Sequence, residues 1–244
     1  MQSRLLSFIA RSGHPSIEDL IREAAQSSKE PLLEEIIEEL STNYSYFYRE
    51  PVHFRFLNDT ALPNIKAELE RTGSTDVRVW SAAAAAGEEA YSLVMAMREF
   101  FGPTYKNLDA GVLATDIDKS ALTLGTAGVY SAEALRNIPE DWKLRYFEPL
   151  DNQRYRVKPP IREDVLFRWL NLIEPAEKLR GQFHIIFCRN VMIYFDAETR
   201  ERLAARLTSL LAPNGYLFIS LTDSAEYVRR DLTQIQPSIF QKVR

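Results

Sequence analysis

The chain has 244 residues, 45% of them hydrophobic, with 30 basic against 34 acidic side chains and a net charge of −4. That length supports one substantial α/β domain with a small accessory piece, and the near-balanced charge argues against a general binder of nucleic acid or of membrane surfaces. No apolar run is long enough to span a bilayer, and Arg4 and Arg11 interrupt the apolar start where a signal peptide needs continuity, so a cytoplasmic location is expected.

The single cysteine, Cys188, excludes an internal disulfide and reads as a buried small hydrophobe. His14, His53 and His184 are too dispersed for a ligand-spaced motif; no metal is expected, and the histidines read as structural or exposed. Ser16 with Asp19 marks a helix start, after which Ile17, Leu20, Ile21 and Ala24 are expected to share a face. Pro31 suits the first turn of a second helix, whose stripe of Leu32, Leu33, Ile36, Ile37 and Leu40 opposes Glu34, Glu35, Glu38 and Glu39. That acidic face is a solvated surface or a partner site.

Thr42 to Phe54, TNYSYFYREPVHF, is dense in aromatics for a connector. In one reading it is a hinge packed by Tyr46, Phe47, Tyr48 and Phe54, with Arg49 and Glu50 as surface charges. In the other, Arg49 presents a fixed planar guanidinium to a carboxylate. A helix over about Ala61 to Glu70 then leads into a strand at Val77 to Trp80, a run of alanines from Ala82 to Ala86, Gly87, and a helix from Glu88 to Phe101. Strand, tight turn and helix suit a ligand at the strand's carboxyl end, and alanine methyls are small enough for an adenosyl cofactor to lie against the turn. Alternatively the alanines simply begin the helix. Ala110 to Asp118 reads as a second parallel strand, with Asp116 placed to hold a ribose hydroxyl pair and Asp118 to cap a helix near Lys119.

Tyr146 to Glu163 reads as a small antiparallel insertion whose YRVK strand is a basic edge, carrying Arg154, Arg156 and Lys158 with Arg162 nearby. Main-domain strands resume at Phe167 to Leu172 and Phe183 to Cys188, the latter ending in Arg189 and Asn190. Asp196 caps a helix over Ala197 to Leu211, and strands at Tyr216 to Leu221 and Ile239 to Val243 close the sheet.

Six segments in order resemble the bacterial chemoreceptor glutamate O-methyltransferases, the CheR-type enzymes that use S-adenosyl-L-methionine. They are TNYSYFYREPVHF, VWSAAAAAGEEAYS (Val79 to Ser92), ATDID (Ala114 to Asp118), YRVKPPIRE (Tyr155 to Glu163), LNL (Leu170 to Leu172) and FCRNVMIYFD (Phe187 to Asp196). The resemblance implies an α/β, class I methyltransferase (Rossmann-like), mostly parallel sheet with a small helical amino-terminal domain and an inserted antiparallel β-subdomain. Domain limits are expected at 1–41 for the helical region, 42–60 for the aromatic linker and 61–244 for the methyltransferase domain, with the subdomain at about 146–164.

The family's cofactor contacts fall on Asn43, Ser45, Arg49 and Glu89, with Glu88 as the less favoured member of the acidic pair. They continue on Asp116 for ribose, Asn171 and Leu172 beside adenine, and Arg189 with Asn190 beneath the cofactor. Arg49 and Tyr194 are the expected catalytic residues. The product is S-adenosyl-L-homocysteine, and the partner is the cytoplasmic region of a chemoreceptor or another glutamate-bearing protein, with peptide docking on the β-subdomain as an option. No nucleic acid and no membrane insertion are implied. Three departures stand out: Ala85, Ala86 and Ala90 replace the hydroxyl or thiol side chains and proline usual in the family loop; Ser220, Leu221, Thr222 and Asp223 replace its GHSE; and the helical region before Thr42 is short, acidic and without the family's arginine-rich helix. They leave open a methyltransferase acting outside chemotaxis, or a catalytically weak cofactor-binding regulator.

Overall fold

The computed structural model describes residues 8–26, 30–150, 153–174, 179, 181–223, 225–228 and 232–243. Arg4 lies outside them, as do the side chains of Leu33 and Glu34. At the amino-terminal end, helices α1 (Ile17–Gln26) and α2 (Glu30–Leu40) bury Leu20 and Ile36 against Phe8, itself in a helical stretch at 8–12, in a small core of their own. Ile21, expected on the same face, is 56% exposed, because its position is turned away from the Ile17, Leu20, Ala24 row that meets α2.

The next helix starts at Pro51, ahead of the expected Ala61. α3 (Pro51–Phe56) runs through a wide turn at Leu57–Ala61 into α4 (Leu62–Thr72). Pro63 lies in the first turn of α4, where a missing N–H is tolerated, and the chain passes it without breaking. Gly73, in the left-handed region at φ 72°, ends the helix.

A seven-stranded sheet follows, built from β1 (Asp76–Ala82), β2 (Asp109–Asp116), β6 (Val165–Trp169), β7 (Phe183–Cys188), β8 (Leu211–Ile219), β9 (Leu232–Gln236) and β10 (Ile239–Lys242). Its order is β6-β2-β1-β7-β8-β10-β9, parallel except where β10 runs antiparallel to β8 and β9. β1 is central and its Val77, Val79, Trp80 and Ala82 are buried, as a continuous apolar run requires. From β1 the chain builds outward to β2 and β6, then crosses back to lay β7 on the other side of β1. Strand order therefore reverses at the carboxyl ends of β1 and β7, where open α/β sheets leave a crevice. α5 (Glu88–Phe101) is buried on every side over Glu88 to Met97, whereas α6 (Lys119–Ala127) and α9 (Ala197–Leu210) each bury one stripe. The polar strand β9, with only Leu232 buried, shows no alternation and was not expected.

The inserted sheet joins β3 (Val129–Ser131), β4 (Phe147–Pro149) and β5 (Arg154–Val157) in the antiparallel order β3-β5-β4, with α7 (Glu140–Tyr146) and α8 (Pro159–Arg162) beside it. This corrects the sequence reading twice. The subdomain begins at Val129, since a three-residue strand is too short for alternation to register. The basic YRVK strand is central rather than an edge, with Arg156 near Glu148 of β4 at 3.9 Å and Lys158 Nζ donating to the Leu144 carbonyl at 2.8 Å.

Candidate functional site

A cavity of about 580 Å³ opens at the carboxyl ends of β1, β2, β6 and β7, roofed by the end of α2 and the linker after it. The ten residues singled out from sequence, Asn43, Ser45, Arg49, Glu89, Asp116, Asn171, Leu172, Arg189, Asn190 and Tyr194, all line it. Glu88 does not; burial raises its carboxyl pKa, opposed by a bond from its own backbone N–H and by one from Ser45.

The alanine run is not the start of a helix. Ala83 and Ala85 adopt left-handed φ values of 63° and 48°, forming a turn before α5 begins at Glu88. The Ala84 N–H donates to the Thr115 carbonyl at 2.9 Å and the Ala85 N–H to Asp116 Oδ2 at 2.8 Å, so the turn is bonded to the end of β2. Gly87 completes it at φ 91°, where a Cβ would lie 2.8 Å from the Phe167 ring.

Asp116 accepts from Ala85 and, through Oδ1, from the Asp118 N–H at 3.0 Å; burial pushes its carboxyl up and these bonds pull it back. Asp118 takes the capping role, accepting from the Ala121 N–H at 3.0 Å, and also receives the Asn43 amide at 2.6 Å. Glu89 accepts from Ser81 Oγ at 2.7 Å and pairs with Arg189 Nε at 2.9 Å. Asn190 sits at φ 58° and donates to Ser220 Oγ at 2.7 Å. Asn171 accepts from the Ile173 N–H at 3.2 Å, and Tyr194, in a short turn at Met192–Tyr194, is 49% exposed.

The two readings of the aromatic linker divide by residue. Phe47 is buried between Tyr130 and Phe147 of the inserted sheet, and Tyr48 packs on Phe54 and Trp142. Arg49 instead reaches the cavity wall, donating to the Tyr44 carbonyl at 2.7 Å with its guanidinium 5.7 and 5.8 Å from the Tyr44 and Tyr46 ring centres.

Sequence reasoning missed the polar layer behind the cavity. Glu50 is no surface charge: it accepts from Ser220 Oγ at 2.9 Å. His53 is wholly buried and contacts Arg189. Their i, i+3 spacing directly after Arg49 was the available signal. Cys188 is buried with its thiol pKa pushed up by burial, which keeps it an unreactive thiol.

Residues 43–239 match the family model described as CheR methyltransferase, SAM binding domain. The chain belongs to the CheR methyltransferase family. It is 34% identical over 242 residues to the chemotaxis protein methyltransferase of Borreliella burgdorferi, an alignment covering 99% of this chain and 85% of that one. It is also 34% identical over 249 residues to chemotaxis protein methyltransferase 1 of Pseudomonas aeruginosa, covering 100% and 89%. The protein is thus a methyltransferase with S-adenosyl-L-methionine as its cofactor, and its sheet has the class I methyltransferase architecture that the resemblance implied. Among the described residues no group of three or more His, Cys, Asp and Glu could hold a metal ion, and no helix is long and apolar enough to cross a membrane.

Proposed function

We propose that this CheR-family methyltransferase esterifies glutamate side chains on the cytoplasmic region of a chemotaxis receptor, and that it works in the cytoplasm. The observation that carries the reading is that Arg49 and Tyr194 line the same cavity as the two acids Glu89 and Asp116. The cavity fits the cofactor: the alanine turn lets a ligand approach the backbone, Asp116 keeps lone pairs for ribose hydroxyls, and Glu89, held by Ser81 and Arg189, presents remaining carboxylate lone pairs to an N–H or O–H donor. Asn171 and Leu172 border the adenine, while Asn43 and Ser45 close the linker side. When bound, S-adenosyl-L-methionine supplies the methyl group as a substituent of a sulfonium.

The chain's own residues have little acid–base work to do. A glutamate of pKa about 4.3 arrives ionised at neutral pH and needs no general base. Arg49, clamped between two rings and a carbonyl, is suited to orient that carboxylate through its planar donors, and Tyr194 to fix it by a hydrogen bond. Excluding water favours the reaction because opposite charges cancel as it proceeds. If a receptor peptide docks on the inserted sheet by strand addition, it must pair with β3 or β4, since β5 has both edges occupied. The deciding experiment incubates the protein with radiolabelled S-adenosyl-L-methionine and membranes bearing chemotaxis receptors. Base-labile label on receptor-sized bands is expected; base-stable label, or label only elsewhere, would refute the substrate assignment.

A further inference from the structure

Arg189 lines the cavity, yet its guanidinium is engaged behind it. Nε pairs with Glu89 Oε2 at 2.9 Å, and Nη1 lies 2.7 Å from the Arg49 carbonyl and 3.1 Å from His53 Nδ1. This guanidinium, its side chain 2% exposed, thereby joins the end of β7 to the first turn of α5 by an ion pair and to the linker before α3 by hydrogen bonds from Nη1.

His53 holds the far side of that guanidinium. Its Nε2 is 2.7 Å from Ser238 Oγ, whose own hydrogen goes to the Pro237 carbonyl at 2.5 Å. Arg189 can only donate, so Nδ1 accepts from it, which leaves the ring proton on Nε2 facing Ser238 Oγ. Glu50 Oε2 competes for the same edge, 3.2 Å from Nδ1. A proton on Nδ1 would turn the ring toward Glu50 and set an N–H against Arg189. Burial and the charge of Arg189 oppose a second proton, against the pull of Glu50, and lower the imidazole pKa to about 4.

We propose that His53 is a positioning residue for the cofactor: neutral, with its proton on Nε2, it anchors Arg189 and so fixes Glu89 and the backbone that carries Arg49. His53 does not line the cavity and acts only through Arg189. The inference rests on Glu89 contacting the cofactor, as proposed above, and is independent of the methyl acceptor.

Two measurements test it without a receptor. Ring-nitrogen NMR of the intact protein at neutral pH, with His53 assigned by the signal lost in His53→Gln, should find the proton on Nε2; a proton on Nδ1 overturns the proposal. Calorimetry with S-adenosyl-L-homocysteine should show His53→Leu binding about tenfold more weakly, and His53→Gln, whose amide oxygen can still accept from Arg189, within about threefold of the parent. In a Glu89→Gln background the leucine change should add less than about twofold, because the two act along one path. Equal losses for leucine and glutamine, or a full second loss on top of Glu89→Gln, would make His53 a space-filling side chain and overturn the assignment. Unchanged affinity in Glu89→Gln alone would overturn both the role of Glu89 and the relay built on it. Should His53→Leu fail to fold, the glutamine variant and the tautomer decide. Failed receptor labelling with normal coupling would instead indict only the substrate reading.

Discussion

Arg49 belongs to two environments at once. Its backbone carbonyl anchors Arg189 while its guanidinium, braced by Tyr44 and Tyr46, meets the cavity. Removing the side chain leaves that carbonyl in place, so Arg49→Ala should change folding stability by no more than about 0.5 kcal/mol. If the guanidinium orients a carboxylate at the reacting centre, kcat/KM should fall at least about tenfold, and Arg49→Lys should stay impaired because it keeps the charge without the planar fork. Full activity in a folded Arg49→Ala protein would return the residue to a structural role. At this scale the cavity residues were legible because they sit in contiguous motif segments. His53, Glu50 and Ser220 were not, because their importance comes from contacts to residues more than a hundred positions away in sequence: His53 meets Arg189 and Ser238, and Glu50 meets Ser220.

Among the elements, the turn after β1 carries the sharpest conflict between local preference and fold. Alanine favours helix, yet Ala83 and Ala85 are held left-handed by hydrogen bonds around Thr115 and Asp116. Ala85→Gly should therefore leave stability unchanged or raise it by up to about 1 kcal/mol, relief of strain being offset by the greater freedom of the unfolded chain. Gly87→Ala should cost about 1 to 2 kcal/mol, since its φ of 91° disfavours a Cβ that would also press on Phe167. Thermal unfolding of the two variants checks the contrast; equal effects would mean the turn adapts freely. Apolar runs located the strands but not all their ends: β6 spans Val165–Trp169 rather than Phe167 to Leu172, and β8 begins at Leu211, ahead of the expected Tyr216, while Asp118 and Asp196 cap their helices as expected. β3 and β9 escaped notice because one is too short and the other too polar to show a period.

Over the whole molecule, acid stability should report the buried polar layer. His53 binds a proton below its ordinary value of 6.5 when unfolded, but only near pH 4 when folded. The unfolded state therefore binds more protons between those limits, and stability is lost as pH falls through this window, by about 3 kcal/mol at most. Glu88, Asp116 and Asp223, whose carboxyl pKa values burial raises, act in the opposite sense and offset part of it. Urea unfolding across pH 4.5 to 6.5 should show a shallower loss in His53→Gln than in the parent; matching slopes would remove His53 as the source.

Because the cavity draws its walls from segments between Ile37 and Thr222, ligand binding should also stabilise the fold as a unit. S-adenosyl-L-homocysteine at about a hundredfold over its Kd should add about 2.7 kcal/mol and raise Tm by about 5 to 10 °C. A melting point indifferent to ligand would contradict a cofactor site built from so much of the chain.

The contact between His53 and Ser238 has a consequence for biosynthesis. Ser238 lies in the tight turn before the closing strand β10, while Glu89 and Asp116 are translated far earlier. A chain still on the ribosome can pair β1 with β2 and close the alanine turn, yet it lacks the serine against which His53 orients. If His53 positions Arg189 as proposed, cofactor capture with native affinity waits until Ser238 has been added, so a chain stopped after β8 holds S-adenosyl-L-methionine more weakly.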